Sequence, residues 1–236
     1  MRYGGAMRSV IFLAFVLVAA SSPAAAQRSG LLTMLETVSA SLGSMKTMGA
    51  APPPGATVLF GGSGADRFVM EKGGGPCSWP VEDGALVAGK GSIMTRGVHG
   101  DFELHLEFEV PEGVGNSGVY LQRRYEVQIL NTWGKPTRPN HCGALYRFRK
   151  PDYNAALPPG RWQTYDITFR QPRWKDGKKT GPARITVLHN GIVVHQDVAL
   201  TRKTGAGKKE GPEPGPILLQ DHGARVRFRN IWVRSL

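Results

Sequence analysis

The chain has 236 residues, a formal net charge of +12 and only two cysteines, Cys77 and Cys142. Its basic residues are scattered rather than gathered in a stripe, so we expect no nucleic-acid partner. The charge instead favours solubility and an association with an anionic cell surface. A β domain of this length does not depend on a dense disulfide framework, and the two cysteines are either one disulfide or two free thiols.

The N-terminal residues carry the pattern of a processing signal. Arg2 and Arg8 precede an apolar run over residues 10–20, and three alanines, residues 24–26, form a small-residue cleavage site. The apolar run is shorter than the roughly 20 residues of a membrane span. We therefore predict a signal peptide at 1–26, no membrane span, and a periplasmic or secreted protein.

Residues 27–55 end in three prolines, 52–54, and are interpreted as a linker or a loosely docked arm. From residue 56 to 236 the pattern changes to an alternation of apolar and polar residues, clearest from Phe102 to Val110. Asn190-Gly191 is a two-residue hairpin signal. The predicted strands are 57–60, 85–88, 92–96, 102–110, 117–122, 125–130, 144–148, 163–169, 183–189, 192–199, 217–220 and 226–233. Together they predict one all-β domain over 56–236, an antiparallel β-sandwich of the jelly-roll type.

Two strand-like stretches, 115–130 and 216–233, carry an unusual number of polar groups. Side chains alternate between the two faces of a strand, so amides, a carboxylate, a phenol and an imidazole are expected to collect on one face. Such a face is typical of a sugar-binding surface. The candidate residues are Asn116, Ser117, Tyr120, Gln122, Glu126, Gln128, Tyr146, Gln220, Asp221, His222, Arg227 and Arg229.

Each candidate also has a simpler interpretation. Glu126 could be solvated or paired with Arg227 or Arg229 in a structural salt bridge, and His222 could cap or pack. Asn116 and Ser117 could form a tight turn or offer hydrogen bonds to a ligand. No phosphate loop, zinc spacing or nucleophile elbow is present in the sequence.

Seven blocks of the chain match one pattern in order; they are residues 101–108, 115–130, 142–146, 158–166, 187–191, 216–223 and 226–233. Over residues 56–236 the chain thereby resembles the 3-keto-disaccharide hydrolase domain family. The resemblance implies a concanavalin A-like jelly roll and exported bacterial proteins that act on oxidised glycosides. It also implies site roles for Glu126 and Gln128, and for a further set: Asn116, Ser117, Gln220, Asp221, His222, Arg227 and Arg229. Two stretches depart from the family's pattern, the basic run 147–150 and the Lys- and Gly-rich loop 201–215.

The leading hypothesis is an exported hydrolase or lyase that cleaves a 3-keto glycoside, with Glu126 and His222 as the proton-transfer pair. The ketone acidifies the proton on C2, a base removes it, and an acid protonates the oxygen that leaves C1. Arg227 or a divalent cation would stabilise the enolate, and Glu126, Asp221 and His222 are ligand types suited to such a cation. The expected partner is an oligosaccharide or oxidised glycoside. The alternatives are a non-catalytic carbohydrate-binding module, lectin-like, and a structural sandwich of the cell envelope.

Overall fold

A computed structural model describes residues 47–236, in which fifteen strands are arranged. The predicted signal peptide, 1–26, and most of the predicted arm, 27–46, lie outside the described residues. The strands are β1 (Thr57–Phe60), β2 (Phe68–Met70), β3 (Val81–Glu82), β4 (Ala85–Val87), β5 (Ile93–Thr95), β6 (Phe102–Glu109), β7 (Ser117–Leu121), β8 (Tyr125–Ile129), β9 (Trp162–Arg170), β10 (Arg173–Lys175), β11 (Lys178–Gly181), β12 (Ala183–His189), β13 (Ile192–Leu200), β14 (Leu218–Leu219) and β15 (Arg227–Ser235). No helix in this part of the chain has the length and hydropathy of a membrane span.

The strands form two sheets and a separate hairpin. The larger sheet has the order β13-β12-β9-β6-β15-β4-β3, with β1 also paired to β15. The smaller sheet has the order β2-β5-β14-β7-β8, and β10 pairs only with β11. Every strand pair is antiparallel. The all-β sandwich predicted from the alternation is therefore confirmed.

The core lies between the two sheets and follows the alternation of the sequence. Phe102, Leu104, Leu106 and Phe108 all lie on one face of β6 and are fully buried, together with inward residues of β8 and β9. The ring centroids of Tyr125 on β8 and Phe169 on β9 are 5.5 Å apart, which joins the two layers. Burial of each such side chain contributes about 2 kcal/mol, so the sandwich is stable without a disulfide.

The hairpin between β12 and β13 confirms the Asn-Gly signal. His189 pairs with Ile192, and the two residues between them, Asn190 and Gly191, have φ angles of 53° and 75°. Positive φ at both central positions is the requirement of a type I′ turn. This turn fixes the register of the outer edge of the larger sheet.

The structure corrects one predicted strand, adds four short strands and settles the state of the two cysteines. The strand predicted at 144–148 is wrong: Leu145 makes only isolated bridges to Val127 and Arg149, and Arg147 has a φ of 56°. The short strands β2, β3, β10 and β11 were not predicted, because two to four residues give too little alternation to recognise. The two cysteines are free thiols, with Cys142 buried beside the hydroxyl of Tyr165 at 3.2 Å.

The outer face of the larger sheet is partly covered by the last residues of the predicted arm. The backbone N–H of Gly49 donates to Glu107 Oε1 at 2.6 Å, and the Trp232 indole donates to the carbonyl of Ala50 at 3.1 Å. His105 and Glu107 are consequently buried, although the alternation of β6 places them on the solvent side of the sheet. Residues 49–50 therefore dock on the sandwich through polar contacts.

Candidate functional site

The candidate site lies on the outer face of the smaller sheet, where β7, β8 and β14 run side by side. Tyr120 pairs directly with Glu126 across β7 and β8, and Gly118 pairs with Gln128. Leu218 of β14 pairs with Tyr120, so Gln220 follows at the end of the adjacent strand. Because side chains opposite one another in an antiparallel pair share a face, these polar groups collect on one surface.

These side chains line a cavity of about 130 Å³, which we call the Glu126 pocket. Its lining residues are Asn116, Tyr120, Glu126, Gln128, Tyr146, Ala206, Gln220 and His222. Ala206 is the one lining residue that was not predicted from the sequence. The structure thus brings together most of the candidate residues from four separate segments of the chain.

Glu126 is almost completely buried, at 2% exposure, and Gly118 makes the room for it. A Cβ atom at position 118 would lie 2.6 Å from Glu126 Oε1 and 3.2 Å from its carboxyl carbon. Only glycine at this position lets the carboxyl group lie flat against strand β7. Gly118, which lies in the predicted strand 117–122, therefore has a direct role in shaping the site.

The hydrogen bonds of Glu126 are asymmetric. In the orientation that matches the donors and acceptors around it, the Gln128 amide nitrogen donates to Glu126 Oε1 at 2.9 Å and to the Ser117 carbonyl at 3.0 Å. The Tyr120 hydroxyl also bonds to the Glu126 carboxyl group. Oε2 of Glu126 has no hydrogen-bond partner among residues 47–236, so this buried oxygen is open to a ligand group.

Burial raises the pKa of Glu126 to about 7, although the hydrogen bond from Tyr120 opposes the rise. Burial, followed by the charge of Glu126, raises the pKa of Tyr120, so this phenol remains a hydrogen-bond donor. A carboxyl group with a pKa near 7 is populated both as acid and as base at neutral pH. Such a group can take a proton and return it, which a freely solvated glutamate does poorly at this pH.

A loop from Thr204 to Lys208 closes one side of the pocket. The N–H of Glu126 donates to Thr204 Oγ1 at 2.6 Å, and the N–H of Lys208 donates to the Arg123 carbonyl at 2.7 Å. The loop approaches so closely that a Cβ at Gly205, where φ is +40°, would lie 2.4 Å from the Tyr146 ring. The glycines of this Lys- and Gly-rich stretch therefore permit its close packing over the carboxylate.

A second cavity, also of about 130 Å³, adjoins the Glu126 pocket and is called the second lobe. It shares Tyr120, Ala206 and Gln220 with the pocket, and its remaining lining residues are Glu71, Ser92, Arg123, Lys208 and Leu218. Arg123 Nη2 donates to Glu71 Oε1 at 2.5 Å. Glu71 and Ser92 were not predicted because strand pairing across β2, β5 and β14 brings them to β7, and Lys208 was not predicted because it arrives on a loop.

His222 lies exposed on the opposite side of the pocket. Together with Asn116 it also lines a wider, open depression of about 590 Å³, whose other walls include Pro111, Val114 and Arg225. The imidazole therefore borders both the buried carboxylate's pocket and an open surface. A group leaving the pocket on this side would pass His222.

Ser117, Gln122 and Asp221 hold the backbone around the site rather than lining the pocket. Ser117 Oγ donates to the Gln220 carbonyl at 2.7 Å, and Gln122 Nε2 donates to the His99 carbonyl at 2.8 Å. Asp221 accepts from the N–H groups of Gly91 and Gly223. Within residues 47–236 no three His, Cys, Asp or Glu side chains are arranged to hold a metal ion.

Arg227 and Arg229 lie on β15 of the larger sheet and do not line the pocket. Arg229 Nε donates to Glu107 Oε2 at 2.7 Å, and its guanidinium lies 4.0 Å from the centroid of the Trp162 ring. Arg227 Nη1 lies 3.4 Å from Glu109 Oε1. The alternative interpretation, a salt bridge between Glu126 and one of these arginines, is therefore wrong, because the arginines pair with Glu109 and Glu107. Both arginines were predicted as site residues, but the strand that carries them belongs to the larger sheet and not to the sheet of the pocket.

Comparison with known proteins identifies the family and supports the fold. The model of the 3-keto-alpha-glucoside-1,2-lyase-like domain matches residues 55–234. A crystal structure of a presumed glycosyl hydrolase from Parabacteroides distasonis is 35% identical, with a TM-score of 0.73, over 78% of this chain and 85% of that one. A second such protein from the same organism shares the fold at 23% identity and a TM-score of 0.58, over 77% of this chain and 94% of that one. No curated protein matches the chain. The family expected from the seven sequence blocks is confirmed: the chain belongs to the 3-keto-alpha-glucoside-1,2-lyase-like domain family and is a carbohydrate-active protein.

Proposed function

We propose that this protein cleaves the glycosidic bond of a 3-keto glycoside, with Glu126 moving the proton of C2. The observation that carries the proposal is the buried carboxyl group of Glu126, with a pKa of about 7 and one oxygen free of any partner within residues 47–236. A binding surface alone would not require a carboxyl group poised between its two protonation states. Membership of the family supports the substrate class.

The proposed reaction begins with proton removal from carbon. The ketone at C3 acidifies the C2–H bond, and Glu126 Oε2 takes the proton while the electron pair delocalises onto the ketone oxygen as an enolate. The enolate electrons then form the C1=C2 double bond as the C1–O bond breaks. Atoms and charge balance when the departing oxygen receives a proton. Addition of water to the double bond would complete a net hydrolysis.

The groups around Glu126 suit the other steps. The Gln220 amide, whose nitrogen lies 3.3 Å from the Tyr120 oxygen, has a second N–H for the enolate or for sugar hydroxyls, while the one O–H of Tyr120 is bonded to the Glu126 carboxyl group. Asn116 and Gln128 add amide groups on the same wall. His222, at the exposed side, is the proposed acid that protonates the leaving oxygen. Arg227 is assigned no part in this step because it pairs with Glu109 on the other sheet.

The proposal is tested by incubating the purified protein with a 3-keto disaccharide and, separately, with the parent disaccharide, and by following the products by NMR. Cleavage of the keto form alone is expected. Glu126→Gln should retain its fold and lose the activity, whereas Glu213→Gln, which changes an exposed carboxylate outside both the pocket and the open depression, serves as the control. Binding of both sugars without cleavage of either would instead indicate a non-catalytic carbohydrate-binding module.

We further propose that the protein is exported, on the strength of the predicted signal peptide at 1–26. Expression of the full chain in a Gram-negative host followed by N-terminal sequencing of the periplasmic and secreted fractions tests this. A mature protein that begins near Gln27 is expected. Recovery of uncleaved chain in the cytoplasm would contradict export.

A further inference from the structure

We propose that the second lobe binds an anionic substituent of the substrate, a carboxylate or a sulfate ester, carried on the side of the 3-keto ring that is remote from the leaving group. This inference rests on the proposed function and extends it to the substrate class. Its basis is the combination of Lys208 and Arg123 in a lobe continuous with the Glu126 pocket.

The position of the lobe determines which part of a sugar it receives. The pocket and the second lobe share Tyr120, Ala206 and Gln220, so a ring bound at Glu126 extends directly into the lobe. His222 lies on the opposite side, towards the open depression where the leaving group would depart. In a pyranose C4 lies across the ring from C1, and C5 lies between C4 and the ring oxygen. We therefore assign the C4–C5 edge of the ring, with the C6 substituent of C5, to the lobe that contains Lys208.

The charges in the lobe favour an anion. Arg123 and Lys208 carry two positive charges against the single negative charge of Glu71, which is already bonded to Arg123 Nη2. The exposed Lys208 side chain has no hydrogen-bond or ion-pair partner among residues 47–236. Arg123 Nε is buried and likewise has no partner within those residues. A buried guanidinium N–H without an acceptor is uncommon, so Glu71 does not use the full donor capacity of Arg123.

The backbone fixes both cations at the lobe. The Lys208 N–H donates to the Arg123 carbonyl at 2.7 Å, so the two residues are held as neighbours. Arg123 lies in the turn between β7 and β8 with a φ of 56°, which sets its direction. Arg147, whose guanidinium lies 5.3 Å from the ring centroid of the pocket residue Tyr146, adds a third positive charge to this region. The loop 204–208 thus supplies the positive charge of Lys208 as well as one wall of the Glu126 pocket.

The test compares three 3-keto glycosides with the same leaving group: the neutral glucoside, the glucuronide with a C6 carboxylate, and the 6-sulfate. At low salt we expect kcat/KM for at least one anionic substrate to exceed that of the neutral one by about 10-fold, and the advantage to shrink at high salt. Preference for the glucuronide alone identifies a uronate, and preference for the 6-sulfate alone identifies a sulfate ester. Equal or better cleavage of the neutral substrate overturns the proposal.

Variants locate the effect. Lys208→Gln should lower kcat/KM for the preferred anionic substrate at least fivefold more than for the neutral one, whereas Lys209→Gln, at an exposed neighbour outside the lobe, should leave both unchanged. An equal effect of Lys208→Gln on both substrates contradicts the assignment.

If no 3-keto glycoside is cleaved, the proposed function fails, and the lobe is tested by NMR titration with glucuronate, glucose 6-sulfate and glucose. Selective binding of an anion that Lys208→Gln weakens supports the lobe, and binding indifferent to charge refutes it.

Discussion

Tyr120 and Glu126 lie directly opposite each other on strands β7 and β8, and the phenol is hydrogen-bonded to the carboxyl group. Burial and this hydrogen bond have opposite effects on the pKa of Glu126. Burial raises the pKa of Glu126 to about 7, while the hydrogen bond from Tyr120 lowers it. The carboxyl group is thereby kept within the range where it can act as a base at neutral pH and still release its proton.

The activity should follow the ionisation of Glu126. Since the carboxylate form removes the C2 proton, kcat/KM is expected to rise with pH through about 7. Tyr120→Phe removes the hydrogen bond that lowers the pKa, so the rising limb should move to higher pH. Rate profiles of wild type and variant measure this shift. A limb that stays in place in Tyr120→Phe, or that falls near pH 4.5, would show that Glu126 is not the titrating base.

The same pKa predicts an unusual effect on stability. A carboxyl group whose folded pKa is raised from 4.5 to about 7 favours the folded state below pH 4.5 and loses that contribution as the pH rises through 7. Glu126→Gln removes the cost of the buried charge. It should raise the free energy of unfolding by about 3 kcal/mol at pH 8 and change it little at pH 4. Urea denaturation of wild type and variant at the two pH values measures this difference. A variant less stable than wild type at pH 8 would show that the buried carboxylate does not destabilise the folded protein.

Gly118 should be required for activity more than for folding. Gly118→Ala places a Cβ 2.6 Å from Glu126 Oε1, and the carboxyl group must move aside. We expect kcat/KM to fall 10-fold or more, with a loss of stability of about 1 kcal/mol. Gly75→Ala is the matched control, because a Cβ at that position meets no atom within 4 Å. Equal activity of the two variants would mean that the position of the carboxyl group is not critical.

Two buried histidines should make the fold acid-sensitive. Burial lowers the pKa of His189 to about 3 and that of His195 to about 4. Both imidazoles are neutral in the folded state, so the stability they provide is complete above about pH 6.5 and is lost as the pH falls towards those values. In the Glu126→Gln background, where the opposing carboxyl effect is absent, unfolding free energy should drop roughly 2 to 3 kcal/mol per pH unit between pH 6 and 4. A flat profile over this range would contradict the assignment.

Arg229 should contribute to stability and not to the reaction. Its guanidinium donates to the buried Glu107, whose carboxylate is also bonded by the Gly49 N–H. Arg229→Gln leaves that carboxylate with fewer donors and should cost about 2 kcal/mol. The specific activity of the folded variant should equal that of wild type. Thermal melts measure the effect on stability, and assays at a temperature well below the melting point measure the effect on activity. A loss of kcat in the folded variant would show that Arg229 takes part in the reaction.

The sequence predicted the pocket as far as strand alternation reaches. Period two on β7 and β8 correctly placed Tyr120, Glu126 and Gln128 on one face. Alternation identifies a face but not the sheet to which a strand belongs, and this explains the misplacement of Arg229. It also ends where a turn begins: Gln122, with a φ of 53°, leaves the strand and bonds to the His99 carbonyl instead of facing the pocket.

The second lobe could not be predicted in this way. Glu71 reaches it through strand pairings that run from β2 across β5 and β14, and Lys208 through a loop held by backbone hydrogen bonds to the turn that contains Arg123. Neither connection leaves a periodic signal in the sequence. The glycines of the loop 204–208 were visible, but their function depends on the atoms they approach, such as the Tyr146 ring.

The most direct test of the central claim uses a 3-keto disaccharide that carries deuterium at C2 of the oxidised ring. If Glu126 removes this atom, wild-type turnover in ordinary water should show a primary isotope effect or, where a later step is slow, release the label to solvent completely. Glu126→Gln should neither cleave the substrate nor exchange the label. Wild-type turnover with neither an isotope effect nor any loss of label, or a Glu126→Gln variant that turns over like the wild type, would contradict the mechanism.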